Sequence, residues 1–246
     1  MQHAQHHWTP YCGPAPDPAN WFSSWNLDFI LLVATAAALC WSWRRFPDRR
    51  RCNVEAFLVV LILYVSPLCA LGSALFSVRA LHHAALALLL APLLAQSLSL
   101  ERFAGRLSLS AMTFVQAIIF WFWHAPGAYA AALSSDLVFW AMQISMTGSA
   151  ALWWASLRGA RAPAAVAAIL ATMVQMGALG ALLTFAGRAF YAPHFETTQA
   201  WGWTPLEDQQ IGGLIMWAPV SGAYLLLALF VLFRALAGEP RVRAAT

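Results

Sequence analysis

The chain has 246 residues and a net charge of +4; 61% of its residues are hydrophobic and only 10% are charged. An average soluble domain carries roughly 25% charged residues, so this composition excludes a fully hydrated surface and predicts an integral membrane protein. All the positive charge comes from arginine, because the sequence contains no lysine, which excludes a retinal protein and any other mechanism that needs a lysine Schiff base.

Seven apolar segments are each long enough to cross about 30 Å of hydrocarbon, which predicts an all-α membrane protein built as a bundle of seven transmembrane helices. The bundle forms one domain over residues 27–236, between a periplasmic amino-terminal segment, 1–26, and a cytoplasmic tail, 237–246. The predicted spans lie near residues 27–43, 55–76, 80–99, 111–132, 137–157, 163–187 and 205–236.

The arginines predict the orientation of the bundle. Twelve of the fourteen fall on one side of the predicted spans, and the positive-inside rule makes that side cytoplasmic. The amino terminus is then expected outside and the carboxyl terminus inside. This orientation places all seven histidines on the outer side: His3, His6, His7, His82, His83, His124 and His194.

The amino-terminal segment contains a second pattern of possible ligands. Met1-Gln2-His3 would present a free amine, two backbone amides and an imidazole, an arrangement that Cu(II) favours, and His6 and His7 add to it.

The four cysteines form no CxxC pair. The favoured interpretation is that all are free structural cysteines, with Cys12 a candidate thiol ligand. A bridge between Cys12 and Cys69 stays open as the alternative.

The third predicted span opens with Arg79, His82 and His83. Arg79 is one helical turn from both histidines, whereas the two adjacent histidines diverge by about 100°, so only one of them faces a given point squarely. The fourth span should stop near His124, because Pro126 disfavours helix in the residue before it. Three histidines and an arginine are therefore expected at one depth, where ionisable residues usually mark a site.

Two other interpretations of these residues stay open. His124 can bond the free carbonyls of a helix end, while Arg79 and His82 can face phospholipid headgroups. Alternatively, two helices that offer imidazoles at one depth can clamp a haem b between His82 or His83 and His124, as in a b-type electron-transfer protein.

A capping box over residues 204–207, with proline at the first helical position, predicts the start of the seventh span. Asp208, Gly212 and Met216 follow at a spacing of four residues, so they share one helix face. A carboxylate, a glycine suited to close approach and a thioether are therefore expected together near the outer interface.

Met142 and Met146 are also four residues apart, on the outer half of the fifth predicted span. Thioethers suit Cu(I), so this pair, together with outward histidines, makes copper the first metal to test. The bilayer midplane holds mainly Gln116, Met173 and Gln175, without the charged relay that a proton or copper transporter would need.

Several segments resemble the multi-span CtaG family of cytochrome c oxidase assembly factors, and the resemblance covers nearly the whole chain. The DQQ-x-GG-x-IMW run is its most specific part. The similar segments are YCGPAPDP (11–18), LYVSPLCALGSALFSVRALHHAALALLLAPLL (63–94), FWFWHAPGAYAAAL (120–133) and YAPHFETTQAWGWTPLEDQQIGGLIMW (191–217).

The resemblance implies a seven-helix protein of the bacterial inner membrane that assists maturation of haem-copper oxidases through copper handling. Many relatives carry an HxxxH pair where this chain has Arg79 and His83, and a histidine where it has Met142. A copper site here is therefore expected to be weaker or richer in methionine, with Arg79 holding an acidic partner or limiting the charge of the site.

Together these features predict a non-enzymatic assembly factor that binds or passes Cu(I) at the periplasmic face. His83 and His124 are the leading ligands, and Asp208 is a ligand or orients an imidazole. Cytochrome c oxidase subunits, periplasmic copper chaperones and the lipid bilayer are the expected partners, and nucleic acid is not. The further candidate ligands are His82, Met142, Met146 and Met216.

Overall fold

The computed structural model describes residue 8, residues 10–104 and residues 107–238, and all regular secondary structure in these ranges is helical. The amino-terminal copper motif with His3, His6 and His7, and nearly all of the predicted tail, lie outside the described residues. The main helices are α1 (Phe29–Arg45), α2 (Pro47–Val65), α3 (Pro67–Ala74), α4 (Phe76–Ser97), α5 (Leu109–His124), α6 (Pro126–Ala132), α7 (Asp136–Arg158), α8 (Ala162–Thr184) and α9 (Pro205–Ala237).

Three of these helices, α4, α8 and α9, are long and apolar enough to cross a membrane. The α1 and α2 helices together qualify as a fourth, although the chain bends by 118° between them. Length and composition of the described helices thus support a helical membrane protein with three spans or up to four. The larger count of seven, and the orientation of the termini, stay predictions.

Two predicted spans are interrupted by proline. The first of these, over residues 55–76, is broken at Ser66. The Ser66 hydroxyl accepts a hydrogen bond from the backbone N–H of Leu68, and Pro67 is the first residue of the next helix, α3. A second break at Leu75, which is extended, starts α4 four residues earlier than the predicted boundary at residue 80. Proline fits the first turn of a helix because it has no N–H to leave unpaired, so Pro67 favours the start of a new helix after Ser66.

The other interrupted span is the fourth. Helix α5 stops at His124, as predicted from the following proline. Ala125 is extended and Pro126 then begins the separate helix α6, so residues 111–132 are not one helix. The break leaves His124 at the end of α5, where its side chain can turn into the bundle.

A disulfide joins Cys12 to Cys69, so the expectation of free cysteines was wrong for this pair, and Cys12 has no thiol to offer a metal. Cys40 and Cys52 are free, as expected. The bond closes a sequence separation of 57 residues and fastens the amino-terminal segment to α3. Such a tertiary pairing cannot be deduced from cysteine spacing alone.

Helix α4 lies inside the bundle. Its first half packs against α9 and its second half against α2 and α7, while α8 packs along α5 and α9. Leu81 and Leu89 remain exposed on one side of α4, but many of its other side chains are buried, including the polar ones near its start. These are Arg79, His82 and His83, each at most 3% exposed.

Candidate functional site

The polar residues of α4 face protein rather than lipid headgroups. Arg79 and His82 are fully buried, so the interpretation in which they contact phospholipid is wrong. Burying ionisable side chains in a membrane protein is costly, and such residues usually mark functional sites. The packing around α4 therefore defines the candidate site.

Asp208, in the first turn of α9, holds the start of α4 in place. Its carboxylate accepts hydrogen bonds from the backbone N–H groups of Phe76 at 2.6 Å and Ser77 at 3.1 Å, and from the Ser77 hydroxyl at 2.5 Å. The first N–H groups of a helix have no partner within it, and a negative charge there is favourable. Asp208 thus caps the helix that carries His83, and its hydrogen bonds go to that helix rather than to an imidazole.

The two glutamines after Asp208 anchor the segment that precedes α9. Gln209 accepts from the Phe190 N–H at 2.7 Å and donates to the Arg188 carbonyl at 3.2 Å. Gln210 donates to the carbonyl of Ala186 at 3.2 Å. The DQQ run therefore holds both the start of α4 and the segment before α9, residues 186–204, which we call the covering segment.

This covering segment, residues 186–204, closes over the histidines. The Tyr191 hydroxyl donates to the backbone carbonyl of His124 at 2.9 Å. His194 Nδ1 donates to the Ala74 carbonyl at 3.3 Å, which leaves Nε2 to accept from the Tyr129 hydroxyl at 2.7 Å. Burial lowers the pKa of His194 to about 3, so this imidazole is neutral and able to accept. Sequence reasoning placed His194 on the outer side but gave it no role.

The glycines of the same motif permit close helix packing. A Cβ on Gly212 would lie 2.6 Å from the Phe76 ring, and a Cβ on Gly213 would lie 2.7 Å from the Gly180 carbonyl oxygen on α8. Helix α9 therefore packs closely on both α4 and α8. Met216 belongs to this interface, since its Cβ would lie 3.1 Å from a Cβ on Gly180.

His83 and His124 come together in the interior. Nδ1 of His83 lies 3.4 Å from Nε2 of His124, a long hydrogen-bond distance, and the rings meet edge to face. Nδ1 of His124 lies 2.7 Å from the carbonyl oxygen of Phe120, which can only accept, so His124 is protonated at Nδ1 and has its lone pair at Nε2. His83 Nδ1 can then donate to it. The other ring nitrogen of His83, Nε2, has no hydrogen-bond partner among the described residues.

A cavity of about 20 Å³ lies beside His83, where α4, α5, α7 and α8 converge. It is lined by His83, Gln116, Met146 and Met176, with Ser149 and apolar residues completing the wall. The space suffices for one water-sized particle. Gln116 Oε1, like His83 Nε2, is buried without a partner in the described structure, so two of the residues that line the cavity with the methionines each have an unpaired polar atom.

The remaining candidate ligands lie elsewhere. Met142 is fully buried on α7 but does not line this cavity. His82 packs its ring against Tyr64, with centroids 5.2 Å apart, and neither of its nitrogens bonds to a described residue. The structure therefore brings His83, His124 and Met146 together and keeps His82, Met142, Met216 and Asp208 apart from the cavity.

Arg79 lies beside this cluster as a buried positive charge. Its Nε donates to the Gly72 carbonyl at 3.1 Å, and its guanidinium carbon lies 5.5 Å from the centroid of the Phe139 ring. Its two Nη atoms have no hydrogen-bond partner, and no carboxylate pairs with it, within the ranges that the structure describes. Of the two roles predicted for Arg79, holding an acidic partner or limiting the charge of the site, the described carboxylates do not supply the first.

The geometry does not favour the haem alternative. A porphyrin lies between its two axial imidazoles, whereas His83 and His124 are in ring contact, with centroids 5.2 Å apart. The adjoining cavity holds only a water-sized particle. In addition, the described residues contain no cluster of three or more His, Cys, Asp or Glu able to hold a metal, so a metal at His83 would need thioether or amide ligands as well.

Comparison with known proteins yields one match. The family model for the cytochrome c oxidase caa3 assembly factor (Caa3_CtaG) matches residues 36–237. No curated protein and no solved structure matches the chain. The matched range contains the histidine pair, the cavity and the DQQ run.

Proposed function

The chain belongs to the cytochrome c oxidase caa3 assembly factor family, and from this premise we propose that it binds Cu(I) as cargo at His83 for delivery to the oxidase during assembly. The observation that carries the proposal is the buried pair of His83 and His124. One ring nitrogen of His83 has no hydrogen-bond partner among the described residues, and His83 lines a cavity with two methionines.

The donor set fits Cu(I) better than a divalent metal. Imidazole nitrogen and thioether sulfur are ligands for Cu(I), while hard divalent ions prefer carboxylate and water. All side chains that line the cavity are uncharged. The cost of burying an ion rises steeply with its charge, so a neutral site in the bundle accepts a monovalent ion more readily.

Two observations support placing this site on the outer half of the membrane. The arginine asymmetry puts the amino-terminal segment outside. The disulfide between Cys12 and Cys69 then lies where disulfides persist, in an oxidising compartment. We place the protein in the inner membrane as a seven-span, multi-pass protein without enzymatic activity. The proposed partners are oxidase subunits that receive copper and periplasmic chaperones that supply it.

Deletion of the gene tests the proposed function. At limiting copper, the deletion strain should lose activity and copper content of the caa3-type oxidase while its transcript level is unchanged, and added copper should restore part of the activity. A plasmid copy of the natural gene should restore activity fully, and the His83→Ala copy should not. Normal oxidase activity and copper content in the deletion strain at limiting copper would remove the copper-delivery proposal.

A further inference from the structure

We infer that Cu(I) is held in the cavity by His83 Nε2 together with the thioethers of Met146 and Met176, and that His124 positions His83 instead of binding the ion. The inference rests on the proposed copper function and specifies its ligands. It differs from the sequence-based expectation, in which His83 and His124 are joint ligands and Met176 has no role.

The hydrogen-bond chain fixes which nitrogen of His83 is free. The Phe120 carbonyl requires a proton on His124 Nδ1, so His124 Nε2 is an acceptor, and His83 Nδ1 supplies the proton that faces it at 3.4 Å. His83 Nε2 is then deprotonated and able to bind a metal. A ring N–H bonded to a second group is the usual way in which a metal-binding histidine is oriented.

The cavity is lined by uncharged side chains with possible ligand atoms from four helices. His83 comes from α4, Gln116 from α5, Met146 from α7 and Met176 from α8. Both methionines are largely buried, at 8% and 2% exposure, and both line the cavity beside the free nitrogen. Gln116 Oε1, which also lacks a partner, adds a neutral oxygen that can orient a water or contact the ion.

A π-helical turn at the site supports a functional role for this part of α4. Residues Leu86–Leu90 form this turn directly after the histidines, and Leu86 itself lines the cavity. Such single-turn π segments occur frequently at functional sites, because they rotate the following residues relative to a regular helix.

Cu(I) binding by methionine variants tests this ligand set. The purified protein in detergent is loaded with Cu(I) without oxygen and titrated with a Cu(I) chelator of known affinity. Met146→Leu and Met176→Leu should each weaken binding by more than the roughly 10- to 100-fold that loss of an orienting partner costs. The matched controls are Met142→Leu on α7 and Met173→Leu on α8, which lie outside the cavity and should bind like the natural protein.

X-ray absorption at the copper edge gives a readout that needs no variant. The loaded natural protein should show sulfur as well as nitrogen ligands. If the natural protein binds Cu(I) through His83 but shows no sulfur, and both cavity methionine variants bind normally, this ligand set is overturned while the proposed function stands. Failure of the folded natural protein to bind Cu(I) would instead contradict both the ligand set and the proposed copper function.

His124 variants separate a positioning residue from a ligand. His124→Ala should weaken binding by about 10- to 100-fold but leave the nitrogen and sulfur ligands seen by X-ray absorption unchanged. His124→Gln, whose amide oxygen can still accept from His83 Nδ1, should recover part of the loss. Removal of one nitrogen ligand from the His124→Ala spectrum would show that His124 binds the ion directly and would contradict the assignment.

Discussion

Arg79 is the residue whose chemistry most distinguishes this site. Where the family resemblance implies a histidine, this chain buries a guanidinium one helical turn from His83, and its Nε donates to the Gly72 carbonyl. Arginine tolerates such a place better than lysine, because its charge is delocalised and can lie over an aromatic ring, here Phe139. A fixed positive charge next to a cation site weakens binding of the cation and can favour its release.

Removing this charge should strengthen Cu(I) binding. At an effective dielectric constant of about 20, two unit charges on the order of 8 Å apart repel by about 2 kcal/mol, so Arg79→Met should bind Cu(I) roughly 30-fold more tightly. Arg188→Met removes the charge of an exposed arginine outside the cavity lining and is the matched control, for which no tightening is expected. Chelator competition on the two folded proteins measures the difference; equal affinities would show that the charge of Arg79 does not act on the site.

Sequence reasoning brought His83 and His124 together, but it could not tell which face of each neighbouring helix turns toward them. His83 and His124 were expected to meet, because the proline at 126 ends α5 at the level of the α4 histidines, and they do. Met176 was missed and Gln116 was noted only as a midplane residue. Neither helix α5 nor helix α8 has a polar stripe strong enough to show which face turns toward α4.

At the scale of elements, the start of α9 organises the whole site. Asp208 caps α4, Gln209 and Gln210 hold the covering segment, and the glycines at 212 and 213 admit α4 and α8. The capping box at residues 204–207 was predicted and is confirmed. The function of the DQQ run could not be predicted, because Asp208 bonds to Phe76, 132 residues away in sequence, and the glutamines bond to backbone groups of an irregular segment.

A substitution in this motif should destabilise the bundle without touching the cavity. A Cβ at Gly213 would lie 2.7 Å from both the Gly180 carbonyl and the Thr184 backbone nitrogen, neither of which can move alone. Gly213→Ala should therefore lower the free energy of unfolding by about 1–3 kcal/mol, the usual cost of overpacking. Thermal unfolding in detergent measures this loss.

Gly222→Ala on the same helix is the control for that experiment. Nothing lies within 4 Å of a Cβ built at Gly222, so alanine there should be neutral or stabilise the helix by up to about 1 kcal/mol. If both variants melt like the natural protein, the close contact between α8 and α9 is not required for stability.

At the scale of the whole molecule, one end of the bundle is closed by two segments that lie far apart in sequence. The disulfide at Cys12 ties the amino-terminal segment to α3, and the Trp201 indole donates to the Pro16 carbonyl at 3.1 Å, which joins the same segment to the one before α9. Hydrophobic runs predicted the helical membrane class but not this closure. The contacts depend on irregular segments, where sequence periodicity carries no information.

Cysteine labelling tests the orientation of the molecule. In a protein with Cys40→Ser and Cys52→Ser, a cysteine is introduced at exposed Ala19 or at exposed Asp48, in the first turn of α2. The arginine asymmetry predicts that an impermeant maleimide labels Ala19→Cys in intact spheroplasts and labels Asp48→Cys only after permeabilisation.

The parent protein without either reporter should stay unlabelled, because Cys12 and Cys69 are bonded to each other. Peptide mapping without reductant should recover these two cysteines in one linked peptide pair. Labelling of Asp48→Cys alone in intact spheroplasts would show that the orientation is the reverse of the predicted one. The disulfide would then lie in the reducing cytoplasm, and the proposed copper site would face away from the periplasmic chaperones.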